Sequence, residues 1–159
     1  MPEPDIGLAA AEDAPAVAEL WTEAFLTGAP QGVSAPYSTA DFDDTDEVAT
    51  VLVARIDDAI AGSVSLFDSD HEGINGAGEA ELSRLAVRRH ARGQGIGRAL
   101  VERAHELARE RGDEAVVLWS GPHQVEGHRL YESLGYERAP ERDTIEGGRE
   151  RLVFVKRLG

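Results

Sequence analysis

The chain reads as an α/β protein in which one mixed central sheet is flanked by helices. Three observations predict this. Short apolar and β-branched runs recur along the sequence, segments with helical spacing alternate with them, and a glycine-rich turn carries one run directly into an amphipathic helix. A length of 159 residues suits a single domain over residues 1–159, long enough to bury a substantial core.

The elements follow in order. Asp5–Ala10 predicts a first strand and Ala14–Phe25 a helix with Val17, Leu20, Trp21 and Ala24 on one face. Glu12-Asp13-Ala14-Pro15 gives that helix a capping residue and an early proline. Thr27–Ser38, rich in glycine, proline and small polar residues, predicts a loop, and the acidic run Asp41–Glu47 a short helix. Thr50–Ile56 and Ala59–Phe67 predict a hairpin turning at Asp57-Asp58, followed by a turn-rich connection over Asp68–Gly78 that contains Asn75-Gly76. Glu79–Val87 is the strand before the glycine turn. The helix after it runs from Ile96 to about Arg111, with Ile96, Leu100, Ala104, Leu107 and Ala108 on one stripe and Gly112 at its end. Ala115–Ser120 predicts a buried strand and Val125–Leu134 a helix stopped by Gly135, which leads into Tyr136–Arg138. Asp143–Arg149 predicts a polar turn and Arg151–Arg157 a closing strand.

Composition narrows the function. A formal charge of −14 opposes any global attraction to nucleic acid or to an anionic membrane. The longest apolar runs, such as Ala115–Trp119, are far too short to span a bilayer. The acidic start Met-Pro-Glu-Pro-Asp lacks a basic region followed by an apolar stretch, so no secretion signal is expected and the cytoplasm is the expected location. Cysteine is absent, which excludes disulfides, thiolate metal sites and an acyl-cysteine intermediate. The histidines show no ligand spacing, and no metal is expected. Against this acidic background Arg84, Arg88, Arg89, Arg92, Arg98, Arg103, Arg109 and Arg111 gather on the strand–turn–helix unit. Ion pairs with Glu102, Glu106 and Glu110 account for the later ones. The cluster before Ile96 suits an anionic cofactor.

The turn itself, Arg92-Gly-Gln-Gly-Ile-Gly97, points several backbone N–H groups the same way at the positive end of a helix dipole, an array that binds phosphate. Two rival readings fail on spacing. A dinucleotide fingerprint counted from Gly93 needs a third glycine where Arg98 stands, and a P-loop needs Gly-Lys-Ser/Thr, which is absent. The turn resembles the (Gln/Arg)-x-x-Gly-x-(Gly/Ala) signature of the GCN5-related N-acetyltransferase (GNAT) family. Leu85-Ala-Val87 before it, and Leu130-Tyr131-Glu-Ser-Leu-Gly135-Tyr136 after it, resemble two further family segments. The resemblance is good over about residues 50–136, with the cofactor-binding core at about 79–136.

The resemblance implies the GNAT fold, with a strand splayed at the cofactor site, and an enzyme that transfers acetyl from acetyl-CoA to a primary amine of a small molecule or peptide. It implies that the backbone of Leu85, Ala86 and Val87 meets the pantetheine arm. The N–H groups around Arg92, Gly93, Gln94, Gly95, Ile96, Gly97 and Arg98 then cradle the pyrophosphate. By the same resemblance Tyr131 is the candidate general acid for the departing thiolate, with core packing as the alternative, and the Val87 N–H is the oxyanion donor. Glu81 holds the position of a catalytic glutamate in several members. Glu79, on the same strand face, is the fallback, and transfer through a water is the alternative to direct transfer. Many relatives have asparagine seven residues before the tyrosine and alanine three residues after that asparagine. Here those positions hold Gln124 and Gly127, and Gln124 is the residue expected to bond the pantetheine amide. His123 is either a base or a solvent-exposed side chain. The acceptor groove of the family implicates Trp21, Phe25, Tyr37, Phe42 and Asp41–Glu47, whose carboxylates either attract a cationic amine or form a solvated face. Without cysteine the transfer is expected to be direct, in a ternary complex. Homodimers recur in the family, and one is an open expectation here. The rival from another class is a non-catalytic acyl-CoA-binding sensor or interaction module, against which Tyr131 and Glu81 argue.

Overall fold

Eight strands and four helices carry the chain in a computed structural model that describes residues 3–26 and 37–159. They are β1 (Asp5–Leu8), α1 (Ala14–Leu26), α2 (Thr39–Val48), β2 (Ala49–Ile56), β3 (Ala59–Phe67), β4 (Glu79–Val87), α3 (Ile96–Glu110), β5 (Ala115–Ser120), α4 (Val125–Ser133), β6 (Glu137–Arg138), β7 (Thr144–Glu146) and β8 (Arg149–Arg157). Most expected boundaries hold to within two residues. The chain forms two compact units, Met1–Leu66 with Arg84–Ala104 and Phe67–Ser83 with His105–Gly159. Among the described residues no helix is long and apolar enough to cross a membrane.

In the first unit the strands lie in the order β1-β2-β3-β4, and β1 pairs antiparallel with β2, Asp5 opposite Arg55 and Leu8 opposite Leu52. Asp57 and Asp58 both take positive φ (52° and 66°), the conformation of a two-residue hairpin turn whose twist matches its strands. Asp13 closes the start of α1. Its Oδ2 accepts from the Ala10 N–H at 2.7 Å and from Arg55 Nη2 at 2.6 Å. Burial alone raises the Asp13 pKa, but these partners outweigh it and hold the carboxyl below its usual value. The apolar face of α1 (Ala14, Val17, Leu20, Trp21) packs with Phe42 of α2 and with Val51, Val53, Ile60 and Ala86 of the sheet. Trp21 keeps its indole N–H satisfied in this core by donating to Ser63 Oγ at 3.0 Å. Gly62 is required by space: a Cβ there would stand 3.0 Å from the Ala86 carbonyl oxygen and 3.1 Å from side-chain carbons of Ile96 and Leu100.

The buried stripe of α3 is Ile96, Leu100, Val101, Ala104, His105 and Ala108; Leu107, expected on it, is only half-buried. The expected positions Ile96, Leu100, Ala104 and Ala108 hold, and Val101 and His105 widen the stripe on one edge. His105 survives burial by hydrogen bonding, Nε2 lying 2.8 Å from Tyr136 Oη. Burial first, then Lys156 and Arg109, push its pKa down to about 4, so the ring is neutral at neutral pH. Gly112 ends the helix at φ 86°, and the Asp113 N–H reaches back to Ala108 O at 3.0 Å.

In the second unit the order is β4-β5-β8-β6, with β7 paired to β8. The parallel ladder of β4 and β5 joins Glu79 to Ala115, Ala80 to Val116 and Glu81 to Val117. The next β4 residues are Leu82, Ser83 and Arg84, and Arg84 takes φ 53°, a local distortion unusual for a non-glycine residue in a strand. β5 pairs antiparallel with β8 over its whole length, from Ala115 opposite Arg157 to Ser120 opposite Leu152. The expected polar turn Asp143–Arg149 is corrected: residues 144–146 form β7 and Arg149 already belongs to β8. Gly147 and Gly148, at φ 59° and 78°, compress the reversal into two residues, so the polar sequence Thr-Ile-Glu becomes a strand.

Candidate active site

The glycine turn sits where α3 begins. Arg89–Ala91 form one short helical turn after β4, and Arg92 ties the loop to the strand end by donating from Nε to Val87 O at 3.1 Å. Gly93 and Gly95 have φ of 79° and 81°, and a Cβ on either would meet nothing within 4 Å. Conformation and not crowding therefore demands glycine, and the space before both residues is open. Gly95 O accepts the Ala99 N–H at 3.0 Å, which starts the helix, and buried Ile96 anchors it. By helix geometry the N–H groups of Ile96 and Gly97 have no partner inside the helix. The turn is thus a set of donors at the positive end of a dipole, and these residues fit a pyrophosphate. Ala86 packs into the core, which turns the side chains of Leu85 and Val87 to the other face of β4.

Glu79 and Glu81 follow the same strand alternation but end in different environments. Glu79 accepts from both Arg142 Nη atoms (2.8 and 3.1 Å) and from the Gly76 N–H at 2.7 Å. Arg142 chiefly, with Gly76, holds its carboxyl below the usual range despite burial. Glu81 is 6% exposed, and burial pushes its pKa up. The Ile74 N–H (3.1 Å to Oε1), His71 (Nε2 at 3.5 Å) and Arg151 offset part of that rise. A carboxylate poised in this way suits proton abstraction better than one locked in a bidentate ion pair.

Glu81 opens on a cavity of about 540 Å³ within the second unit. Strand register builds its floor. Glu81 lies opposite Val117, Val117 opposite Val155 and Trp119 opposite Val153, so Glu81, Trp119 and Arg151 emerge on one face of the sheet. His71 through Ile74 wall one side, and the ring of His71 is stacked on Phe67 at 4.0 Å. A Cβ on Gly73 would meet Glu81 Oε1 and the His71 ring, so a larger residue there would displace these two side-chain ends.

Tyr131, on α4, packs edge-on against Tyr136 (5.7 Å between centroids) and beside Phe154. Desolvation alone raises its pKa to about 12, so the phenol keeps its proton throughout the neutral range. Gln124, just before α4, uses its side-chain oxygen locally, accepting from Ser120 Oγ at 2.9 Å and the Gly121 N–H at 2.8 Å. His128 donates from Nε2 to Gly121 O at 2.9 Å and so holds the same turn; His123 is exposed.

A family model described as the acetyltransferase (GNAT) family matches residues 14–136. The chain belongs to the GNAT acetyltransferases. The N-acetylaspartate synthetase of Danio rerio is 43% identical over 80 residues, which cover 46% of this chain and 28% of that protein. The match therefore spans less than a third of that relative's length. Two solved GNAT structures share the fold. A phosphinothricin acetyltransferase from Sinorhizobium meliloti, in complex with acetyl-CoA, has a TM-score of 0.79 at 20% identity and covers 99% of this chain and 90% of its own. The PaiA N-acetyltransferase from Thermoplasma acidophilum, in complex with coenzyme A, has a TM-score of 0.78 at 18% identity, covering 98% and 99%.

Against this GNAT frame several expectations change. Trp21 and Phe42, expected to line a groove, are core residues, 2% and 0% exposed; Tyr37 packs edge-on to Trp21 at 5.8 Å, and the Phe25 side chain lies outside the described residues. Asp41 is a cap, accepting from the Ser38 N–H and hydroxyl, while Asp43, Asp44 and Asp46 form the solvated face of α2. The arginine island is also partly structural. Arg88 bonds Glu19 (2.9 Å) and the Ile60 carbonyl (3.3 Å); Arg84 bonds Thr45 (2.5 Å) and lies 4.7 Å over Trp21. The sequence missed His71, Trp119, Arg142 and Arg151 as cavity residues. Only the register that gathers them from separate segments reveals the set.

Proposed function

We infer that this GNAT chain transfers the acetyl group of acetyl-CoA directly to a primary amine, and that residues 1–159 act as one cytoplasmic domain in doing so. The observation that carries this reading is the open glycine turn at the N-terminus of α3, with positive φ at Gly93 and Gly95. Its donors, from Arg92 to Arg98, hold the pyrophosphate, and the backbone of Leu85–Val87 holds the pantetheine arm. The Gln124 amide lies on a turn that can add a further contact through its nitrogen.

The amine nitrogen attacks the thioester carbon and loses its proton to Glu81, directly or through one water. Charge builds on the carbonyl oxygen, which accepts from the Val87 N–H. The carbon–sulfur bond then breaks, and Tyr131 Oη supplies the proton that the sulfur needs as it takes on charge. Solvent resets both groups: Glu81 loses the proton it gained and Tyr131 recovers the one it gave. With no cysteine in the chain, the acetyl group has no thiolate on which to rest between steps.

The test is thiol release from acetyl-CoA across a panel of amines, with Tyr131→Phe beside the wild type. Transfer to one class of amine, with kcat reduced on the order of 100-fold in the variant, supports the enzyme and the assignment of the acid. Transfer unaffected by the variant keeps the transferase and removes Tyr131 from that role. Tight acetyl-CoA binding without transfer to any amine replaces this reading with the sensor module.

A further inference from the structure

Three cations or potential cations face the cavity at Glu81, and they are not equivalent. Arg142 is engaged: both Nη atoms bond the Glu79 carboxylate, and Nη2 also donates to Ile74 O at 2.8 Å. His71 is stacked on Phe67 with Nε2 turned to Glu81. Arg151 differs from both. Its guanidinium lies 4.9 Å over the Trp119 ring, which fixes its plane, and its side chain is 24% exposed. Its carboxylate partner is Glu146, whose own side chain is 68% exposed on a three-residue strand with no buried position. Solvent screens such a pair, and it contributes little to holding either group. A planar guanidinium pre-oriented by an aromatic ring is built for a carboxylate, and Glu146 marks the side from which one reaches it.

Glu81, Trp119 and Arg151 share one face of the sheet, with the carboxylate on β4 and the guanidinium on β8. The geometry points to an aminocarboxylate, a free amino acid or a close equivalent, as the acceptor class. The acceptor's carboxylate displaces Glu146 from Arg151, its stem lies against Trp119, and its amine faces Glu81. This inference rests on the acetyltransferase reading above and deepens it. A polyamine is disfavoured by the same arrangement, because its second cation would meet Arg151 where an anion is wanted.

The experiment measures thiol release from acetyl-CoA with each standard amino acid, its amide and its decarboxylated amine, for wild type, Arg151→Gln, Arg151→Lys and Glu146→Gln. In the wild type the best amino acid is expected to exceed its amide in kcat/KM by about tenfold or more. In Arg151→Gln that preference collapses toward one through a KM increase for the acid of about 10- to 100-fold, and Arg151→Lys restores part of it. Glu146→Gln removes the competing carboxylate and lowers KM for the acid, a gain that a purely structural ion pair does not produce. Amides or simple amines acetylated as well as the acids, or Arg151→Gln affecting acid and amide alike, overturn the inference and leave the acetyltransferase standing. Acetyl-CoA binding with no acceptor turned over in any series overturns both.

Discussion

The glycine turn at residues 92–97 and the cavity at Glu81 are made by opposite means. The turn works through backbone: its donors are peptide N–H groups, oriented by two glycines at positive φ and by the start of one helix. The cavity works through side chains, which the 71–74 loop, β4, β5, β7 and β8 each deliver separately. A backbone site can be written in six consecutive residues. A side-chain site needs strand register before its parts meet, and its electrostatics depend on what else is buried there. Glu79 and Glu81 make the point within one strand, since the same residue type at alternate positions is locked and acidic in one case and poised in the other.

That distinction is most sharply broken or kept at the two glutamates. Glu81→Gln is expected to lower kcat by about 100- to 10,000-fold, as loss of a general base does. Glu79→Gln should cost less than about tenfold in kcat and lower Tm by a few degrees, because it removes half of the Arg142 ion pair. Equal kinetic losses would erase the division of roles. The pH profile gives the sign: with its pKa raised, Glu81 protonates above the ordinary carboxylate value as pH falls. The acid limb of kcat/KM is therefore expected above pH 4.5 in the wild type and absent in Glu81→Gln.

A smaller effect tests the backbone site. Gly95→Val places a β-branched residue at φ 81°, with strain of about 1–3 kcal/mol. Acetyl-CoA affinity, measured by calorimetry, should fall by about 10- to 100-fold, with KM for the acceptor little changed. Unchanged affinity would show that the turn does not hold the cofactor. The smallest effect concerns α4. A Cβ at Gly127 would lie 3.6 Å from Tyr131 Cε2, an ordinary contact. Gly127→Ala is expected to stabilise the protein by about 0.5–1 kcal/mol in urea denaturation. Destabilisation would mean that the helix cannot accept the alanine that many relatives carry.

Much of the fold was legible because the signals are local. The strands 59–67, 79–87 and 115–120 match their apolar patterning at both ends, and Asp57-Asp58 turns as a hairpin should. The reversal after Asp143 was not legible as strand, because Thr144-Ile-Glu146 has all its side chains exposed and carries no burial signal. Trp21 and Phe42 misled for the converse reason. Aromatic residues near an expected groove look alike in sequence whether they line it or fill the core beneath it, and only the packing of α1 and α2 on β2 and β3 decides.

By itself the sequence determined the order of elements and the glycine turn, which follow from residue patterning along single strands and helices, while the candidate pair Glu81 and Tyr131 came from the resemblance to the GNAT family. Tertiary structure decided which glutamate is locked to Arg142, which arginines are tied to the protein's own carboxylates, and that Trp119 and Arg151 face the same cavity as Glu81. Those outcomes depend on burial and on partners many residues away, and local spacing carries no information about either.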